Sequence, residues 1–553
     1  MRSFAIRGLE FHSSRMWQWA QVERAIDFMA KTNLNALIFH QNDLLDKLVW
    51  PDRYFPDPIK WARWPARIHV LMNNIHYMNK VVREAKERGI DFYLEVKEIN
   101  YPDGILERYP ELRNADGEVC ATHPFWWEFV EAKMEEVLQA VPDLAGVIMS
   151  GGTRESMVSM AKNACRCERC RSYTTTQWHT RLLHAMYKPL AQRGRKLIVR
   201  DFAYTADQQS SIIEAANAVS EDIVISLKNT PHDYYPTFPN NPQIGHVGSH
   251  PQWIEFDTWG QFYGLGFFPA SVVEDMQRRM NHCREQGAEG IYLRTDWENL
   301  TESSVFNSFN LLNLLAGARL SQNLDVDLDQ IYRDWAAYGL YSPLEPSSRI
   351  REPVAPTSPD ADEKLKNFMK ASWSVIEKTI FVRGHVFHDD CMWPDIVDRG
   401  FYTMTGIHGR DDWEPGASRL VEPTDENMAV IFREKAEAVQ QVKALADILS
   451  VETLGLPDDF VAEIKEMLAL YELYVRGYEL SAHCCFLVRK ATTTKKAEDA
   501  AKARAAVAPM RAYREELCQH LQKRHYPHYV YWLLDEGRLR DLLNDIDAQL
   551  QGL

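Results

Sequence analysis

No stretch of the sequence approaches the roughly 18 consecutive apolar residues of a membrane-spanning helix, so no membrane partner is expected. Positive charge is also scarce: 63 Lys and Arg stand against 78 Asp and Glu, a formal net charge of −15. That argues against nucleic acid as a partner, because collecting phosphates needs a positive surface. MRSFAIRGLEF has neither the apolar core nor the small-residue cleavage site of a secretory signal, and a cytoplasmic location is expected. Nine cysteines, an odd number and mostly unclustered, fit reduced thiols better than a disulfide framework. There is no Gly-rich phosphate loop after the first strand-like run, no HExxH, and no internal repeat. No catalytic metal is assigned, and no cofactor is required by this reading.

What is present is an alternation. The 553 residues exceed the roughly 250 to 300 that one hydrophobic core supports, so two large units are expected. Up to about residue 320, short apolar runs (AIRGLEF, NALIF, DFYLEV, AGVIMS, KLIVRDF, DIVISL, WIEFD and GIYLR) alternate with amphipathic segments. Val22, Ile26 and Met29 recur at helical spacing, as do Val130, Met134 and Val137, while Ser271 and Glu274 stand at capping-box spacing. Eight strands with helices between most of them predict an α/β fold, a (β/α)8 TIM barrel over 1–325. A doubly wound open sheet is the alternative. A Pro-rich break, SPLEPSSRIREPVAPTSPDADE, then leads into continuous helical pattern, read as a helical C-terminal domain over 326–553. NMAVIFREKAEAVQQVKALADIL and AEDAAKARAAVAPMRAYREELCQHL are its longest helical patterns, and a loop with His385, His388, Trp393, His408 and Trp413 is read as a cover for the barrel mouth of the same or a partner subunit.

In such barrels chemistry is built at the carboxyl ends of the strands. That rule gathers Glu10, His12, Glu95, Lys97, Glu98, Asn100, Arg154, Glu155, Arg200, Asp201, Tyr204, Lys228, His232, Asp233, Glu255, Asp257, Arg294, Asp296, Trp297 and Glu298 into one ring. So many carboxylates at one mouth are costly unless they bind metal, pair with cations or share acid and base work. Glycoside hydrolysis needs two of them, one protonated and one ionised, and the rim aromatics Tyr234, Tyr235, Trp259, Tyr263 and Trp297 would suit sugar faces.

At these residues the sequence resembles the α-glucuronidases of glycoside hydrolase family 67. The blocks that carry the resemblance are PFWWEFVEAKMEEVLQAVPDLAGVIMSGGTRES, IVRDFAY, ISLKNTPHDYYPTFPN, WIEFDTWGQFYG and NLTESSVFNSFNLLNLLAGARLSQNLDVDLDQIYRDW. It implies exo-acting, inverting removal of a terminal acidic sugar, α-glucuronic acid or a derivative, from an oligosaccharide. Glu155 falls at the family's general acid and Asp233 at a general base. Arg200 and Lys228 fall near the uronic acid carboxylate. Gln261 replaces the family's second base-position carboxylate, leaving Asp233 to act alone or with Glu255, and SGGT removes a lysine before the acid. The raised pKa wanted of Glu155 is expected from a desolvated pocket. His232 and Tyr204 are read as hydroxyl contacts, with Asp296 and Trp297 at the rim. A glycosidase for a hexosaminide or another uronide, or a non-catalytic carbohydrate-binding barrel, is the alternative. The resemblance also implies a homodimer through the C-terminal helices.

CRCERC sets Cys165, Cys167 and Cys170 close together. With a fourth ligand from elsewhere, Cys120 or His123, they would form a structural zinc site; otherwise they are three reduced thiols.

Overall fold

The computed structural model describes residues 3–202, 205–345 and 352–553. Eight parallel strands close into a barrel in chain order: β1 (Ile6–Phe11), β2 (Ala36–His40), β3 (Asp91–Lys97), β4 (Gly146–Gly151), β5 (Lys196–Asp201), β6 (Val224–Lys228), β7 (Gln252–Asp257) and β8 (Gly290–Arg294). β1 pairs with both β2 and β8, placing Glu10 beside Ile38 and Arg294. Each strand coincides with one of the eight apolar runs. Such runs are legible because a parallel strand covered on both faces must be apolar nearly throughout. The expected helices are present: Val22, Ile26 and Met29 line the buried face of Trp19–Lys31, and Val130, Met134 and Val137 that of Phe125–Ala140.

The chain forms two compact units. The first comprises residues 1–229, 241–256 and 280–294; the second comprises 230–240, 257–279 and 295–553. The segments that follow β6, β7 and β8 therefore group with the helical region.

Within the second unit the long helices are Ala361–Ile380, Asp425–Leu449, Asp458–Thr494, Ala497–Leu521 and Glu536–Gln551. The longest, Asp458–Thr494, is not the one that periodicity singles out. Its buried residues, from Phe460 to Ala491, spread over more than half of its circumference, so it lacks the narrow one-sided stripe that marks a surface helix. Residues 346–351 of the Pro-rich break lie outside the described residues.

Trp393, expected at the mouth of the barrel, is 1% exposed and packs against Tyr474 and Tyr513 inside the helical unit. Its indole lies on Gly477, where an added Cβ would meet the ring at 2.4 Å. Gly477→Ala is expected to cost about 1–3 kcal/mol through overpacking, although alanine is the better helix former. A denaturant titration that finds the variant as stable as the parent would contradict this close approach.

Candidate functional site

Period two decides what meets inside the barrel. Ile38, Tyr93, Ile148, Ile198, Val224, Trp253 and Tyr292 form a buried apolar layer. Two residues further along each strand, on the same face, stand His40, Glu95, Ser150, Arg200, Ser226, Glu255 and Arg294, and Glu10 joins them from β1. All are buried. The fold thus places an apolar plug beneath a charged layer at the carboxyl ends.

Charges in that layer are paired. Arg200 Nε donates to Glu255 Oε2 at 2.6 Å and its NH2 to Oε1 at 3.0 Å, a bidentate clamp. The same guanidinium lies 3.3 Å from Glu95 Oε1, which also accepts from Ser150 Oγ at 2.8 Å. His12 Nδ1 and His40 Nδ1 reach Glu10 Oε1 at 2.9 and 2.8 Å. Burial raises all three carboxyls, but Arg200, a hydrogen bond from Glu10 and the charge of Arg294 reverse this for Glu255, which is held well below the usual carboxylate range. Glu10 goes the other way. Burial, then repulsion from Glu255 and Glu95, push its carboxyl well above the ordinary range, so it carries the proton of the pair. Burial and the positive neighbours His12, Lys97, Arg200 and Arg294 keep His40 neutral.

These opposite shifts have opposite pH signatures. A raised carboxyl stabilises fully below its unfolded value of about 4.3, and that stability fades as pH rises through the folded value. The depressed Glu255 stabilises above its unfolded value, and the loss comes as pH falls through the folded one. Glu10→Gln mimics the protonated acid. Urea midpoints between about pH 5 and 8 are expected to fall less with pH for this variant than for the parent. An unchanged slope would mean that Glu10 is ionised.

Cations gather at the same strand ends. Around the ring of Phe202 lie Lys97 Nζ at 4.0 Å, Lys228 Nζ at 4.4 Å and the Arg200 guanidinium carbon at 5.4 Å from the centroid. Lys97 also reaches Glu155 Oε2 at 3.4 Å, and Asn42 Nδ2 donates to the same oxygen at 3.1 Å. The Glu155 side chain is 38% exposed, so the desolvated pocket expected around it is not observed. The following residues are fixed: Ser156 Oγ accepts from Glu98 N, Met157 N donates to Asn100 Oδ1 and Val158 N to Ile99 O. Glu98 itself is occupied by His179 Nε2 at 2.9 Å and Gly152 N at 2.9 Å.

The second unit holds another constellation. His232 Nδ1 lies 3.2 Å from Asp233 Oδ2 and 3.3 Å from His408 Nδ1, and His408 Nε2 lies 3.2 Å from Asp389 Oδ2. Tyr235 donates to Asp389 Oδ1 at 3.0 Å. Gln261 Nε2 donates to Asp390 Oδ1 at 2.9 Å. Burial pushes both aspartates up, yet His408 brings Asp389 below its ordinary value, while repulsion from Asp389 drives Asp390 well above. Asp233, Asp390 and Cys391 all have left-handed backbone, with φ of 39°, 51° and 60°. Such strain costs of order 1–3 kcal/mol per residue and clusters where function requires it.

Of the remaining sequence candidates, Trp297 is 4% exposed and meets Trp532 edge to face at 5.5 Å. Asp296 is fully buried beside Thr295. Tyr204 lies outside the described residues. Sequence reasoning missed His40, Asp389 and Asp390. His40 was within reach, since it is the last residue of β2 on the inward face, whereas Asp389 and Asp390 sit in a loop without periodicity. A cleft of about 870 Å³ lies elsewhere in the first unit, along helices Pro65–Lys86 and Phe125–Ala140, with no strand-end residue in its lining.

A closed parallel barrel with its charged layer at the carboxyl ends defines a (β/α)8 barrel protein. No model of a known protein family matches the chain, and no curated protein does. Among solved structures it is similar to a glycoside hydrolase family 138 enzyme targeting pectin rhamnogalacturonan II, with a TM-score of 0.62 and 11% identity over 94% of this chain. The match spans 62% of that enzyme's length. An O-GlcNAc hydrolase mutant of Thermobaculum terrenum aligns over 100% of this chain and 97% of its own, at 12% identity and a TM-score of 0.45. A family 20 exo-β-N-acetylglucosaminidase of Vibrio harveyi aligns over 59% and 55%, at 15% identity and 0.37. At such identities the likeness is one of fold.

Proposed function

We propose that the protein is a glycoside hydrolase that removes a terminal acidic sugar from an oligosaccharide. The observation that carries this is the convergence of Lys97, Lys228 and Arg200 on Phe202, among carboxylates, in a chain of net charge −15. Cations grouped around one aromatic ring suit a ligand that is both anionic and ring-shaped. The fold likeness to a glycoside hydrolase that targets a pectin polysaccharide supports the same reaction class.

In this reading Glu155 donates the proton to the leaving oxygen, and Lys97 and Asn42 orient its carboxyl. Asp233 is the base that activates water, held by His232. Lys228 meets the sugar carboxylate; Arg200, already clamped on Glu255, fixes the floor beneath it. Glu255, ionised and fully buried, serves Arg200 rather than substrate. Where the family 67 pattern has a second carboxylate, Gln261 here presents its amide to Asp390, which supplies a carboxyl in its stead.

The test is product analysis by chromatography and NMR after incubation with uronic-acid-capped oligosaccharides and neutral controls. Free uronic acid, appearing first as the β-anomer from an α-linked substrate, is the expected result. Cleavage of a neutral control alone would replace the acidic-sugar reading with another specificity. Sugar binding without turnover would replace the hydrolase with a binding protein.

A further inference from the structure

We propose that Cys120, Cys165, Cys167 and Cys170 form a tetrathiolate site that binds one structural zinc ion. CRCERC supplies three of these residues and the segment before helix Phe125–Ala140 supplies the fourth, all within the first unit. Their sulfurs lie within 4.8 Å of one another. Cys120 Sγ is 3.8 Å from Cys167 Sγ and 3.6 Å from Cys170 Sγ. Tetrahedral zinc with bonds of about 2.3 Å holds its sulfurs about 3.8 Å apart, whereas a disulfide brings them to about 2.05 Å. The spacing is that of ligands.

The surroundings are those of a thiolate cluster. Cys170 N–H points to Cys167 Sγ at 3.4 Å, Asn114 Nδ2 to Cys165 Sγ at 3.6 Å and Arg169 NH2 to Cys120 Sγ at 3.9 Å. Thr122 Oγ1 lies 3.2 Å from Cys170 Sγ. Four thiolates around a divalent ion leave two negative charges, and donors aimed at the sulfurs, one of them a guanidinium, offset them. Cys120, Cys165 and Cys170 are buried, as a closed structural site requires. A redox-inert ion with no preferred geometry of its own suits a site that only fastens chain.

What it fastens is the loop between β4 and helix Thr175–Gln192, which includes Glu155. One end of that loop is tied to the exit of β3 through Ser156, Met157 and Val158. The ion would tie the other end to the segment that carries Cys120.

The experiment is elemental analysis of the full chain, purified without added metal or chelator, with release by an organomercurial read by a zinc-binding dye. One zinc per chain is expected, falling toward zero in Cys120→Ser and Cys170→Ser and staying at one in Cys518→Ser, whose thiol lies outside the cluster. Should the cluster variants fail to fold, the parent decides alone: metal-free protein with free thiols, a disulfide within the cluster, or bound iron would each overturn the proposal. Metal content is independent of any sugar cleaved, so this result and the hydrolase reading stand or fall separately.

Discussion

Glu155→Gln is expected to lower turnover of a uronide with a poor leaving group by about 10²- to 10⁴-fold, the usual worth of a positioned proton donor. An activated aryl glycoside should lose far less, because its leaving oxygen departs without a proton. The substitution is a fair one. Glutamine keeps an oxygen that the Asn42 amide and the buried Lys97 ammonium can still reach, so what the change removes is the carboxyl's proton and charge. Equal losses on both substrates would give Glu155 a binding role and return the proton to another group.

Arg200→Met should be the most destabilising change in the first unit. Its guanidinium is 1% exposed and neutralises Glu255 and Glu95, both fully buried. Removing one partner of a buried pair costs about 3–5 kcal/mol, because the other charge stays uncompensated. Adding Glu255→Gln should recover part of that loss, since the stranded charge disappears with it. Arg200→Lys should not rescue, as one ammonium cannot bridge both oxygens. A shift under about 1 kcal/mol in the denaturant transition of this unit would mean that Glu255 is protonated in the fold, against its depressed pKa.

The barrel could be read from sequence because its strands are buried on both faces, which turns each into a mostly apolar run whose charged residues gather toward its carboxyl end. The rule that chemistry sits at strand carboxyl ends then found Glu10, Glu95, Arg200 and Glu255, which share one layer here. What the sequence could not tell was the pairing within that layer. Arg200 reads in sequence as a substrate clamp, with an ion pair to a neighbouring carboxylate as the alternative, and only distance separates the two. Likewise Ser271 and Glu274, at capping-box spacing, both reach the Tyr332 hydroxyl, and the helix begins at Val273. Asp389 and Asp390 were invisible for another reason: their importance comes from contacts with Tyr235, Gln261 and His408, distant along the chain. Trp393 was misjudged because an isolated tryptophan in a loop gives no sign of the glycine, Gly477, that makes room for it in a remote helix.

The interleaving of the two units along the chain sets a timetable for synthesis. Phe268 belongs to the second unit, where it stacks on Tyr471 at 4.4 Å and contacts Tyr474. Those partners leave the ribosome about 200 residues later, a delay of roughly 10 to 40 s at typical elongation rates. During that interval Phe268 lacks the two tyrosines it packs on in the folded unit, so this part of the second unit cannot be completed until the helix Asp458–Thr494 has been made.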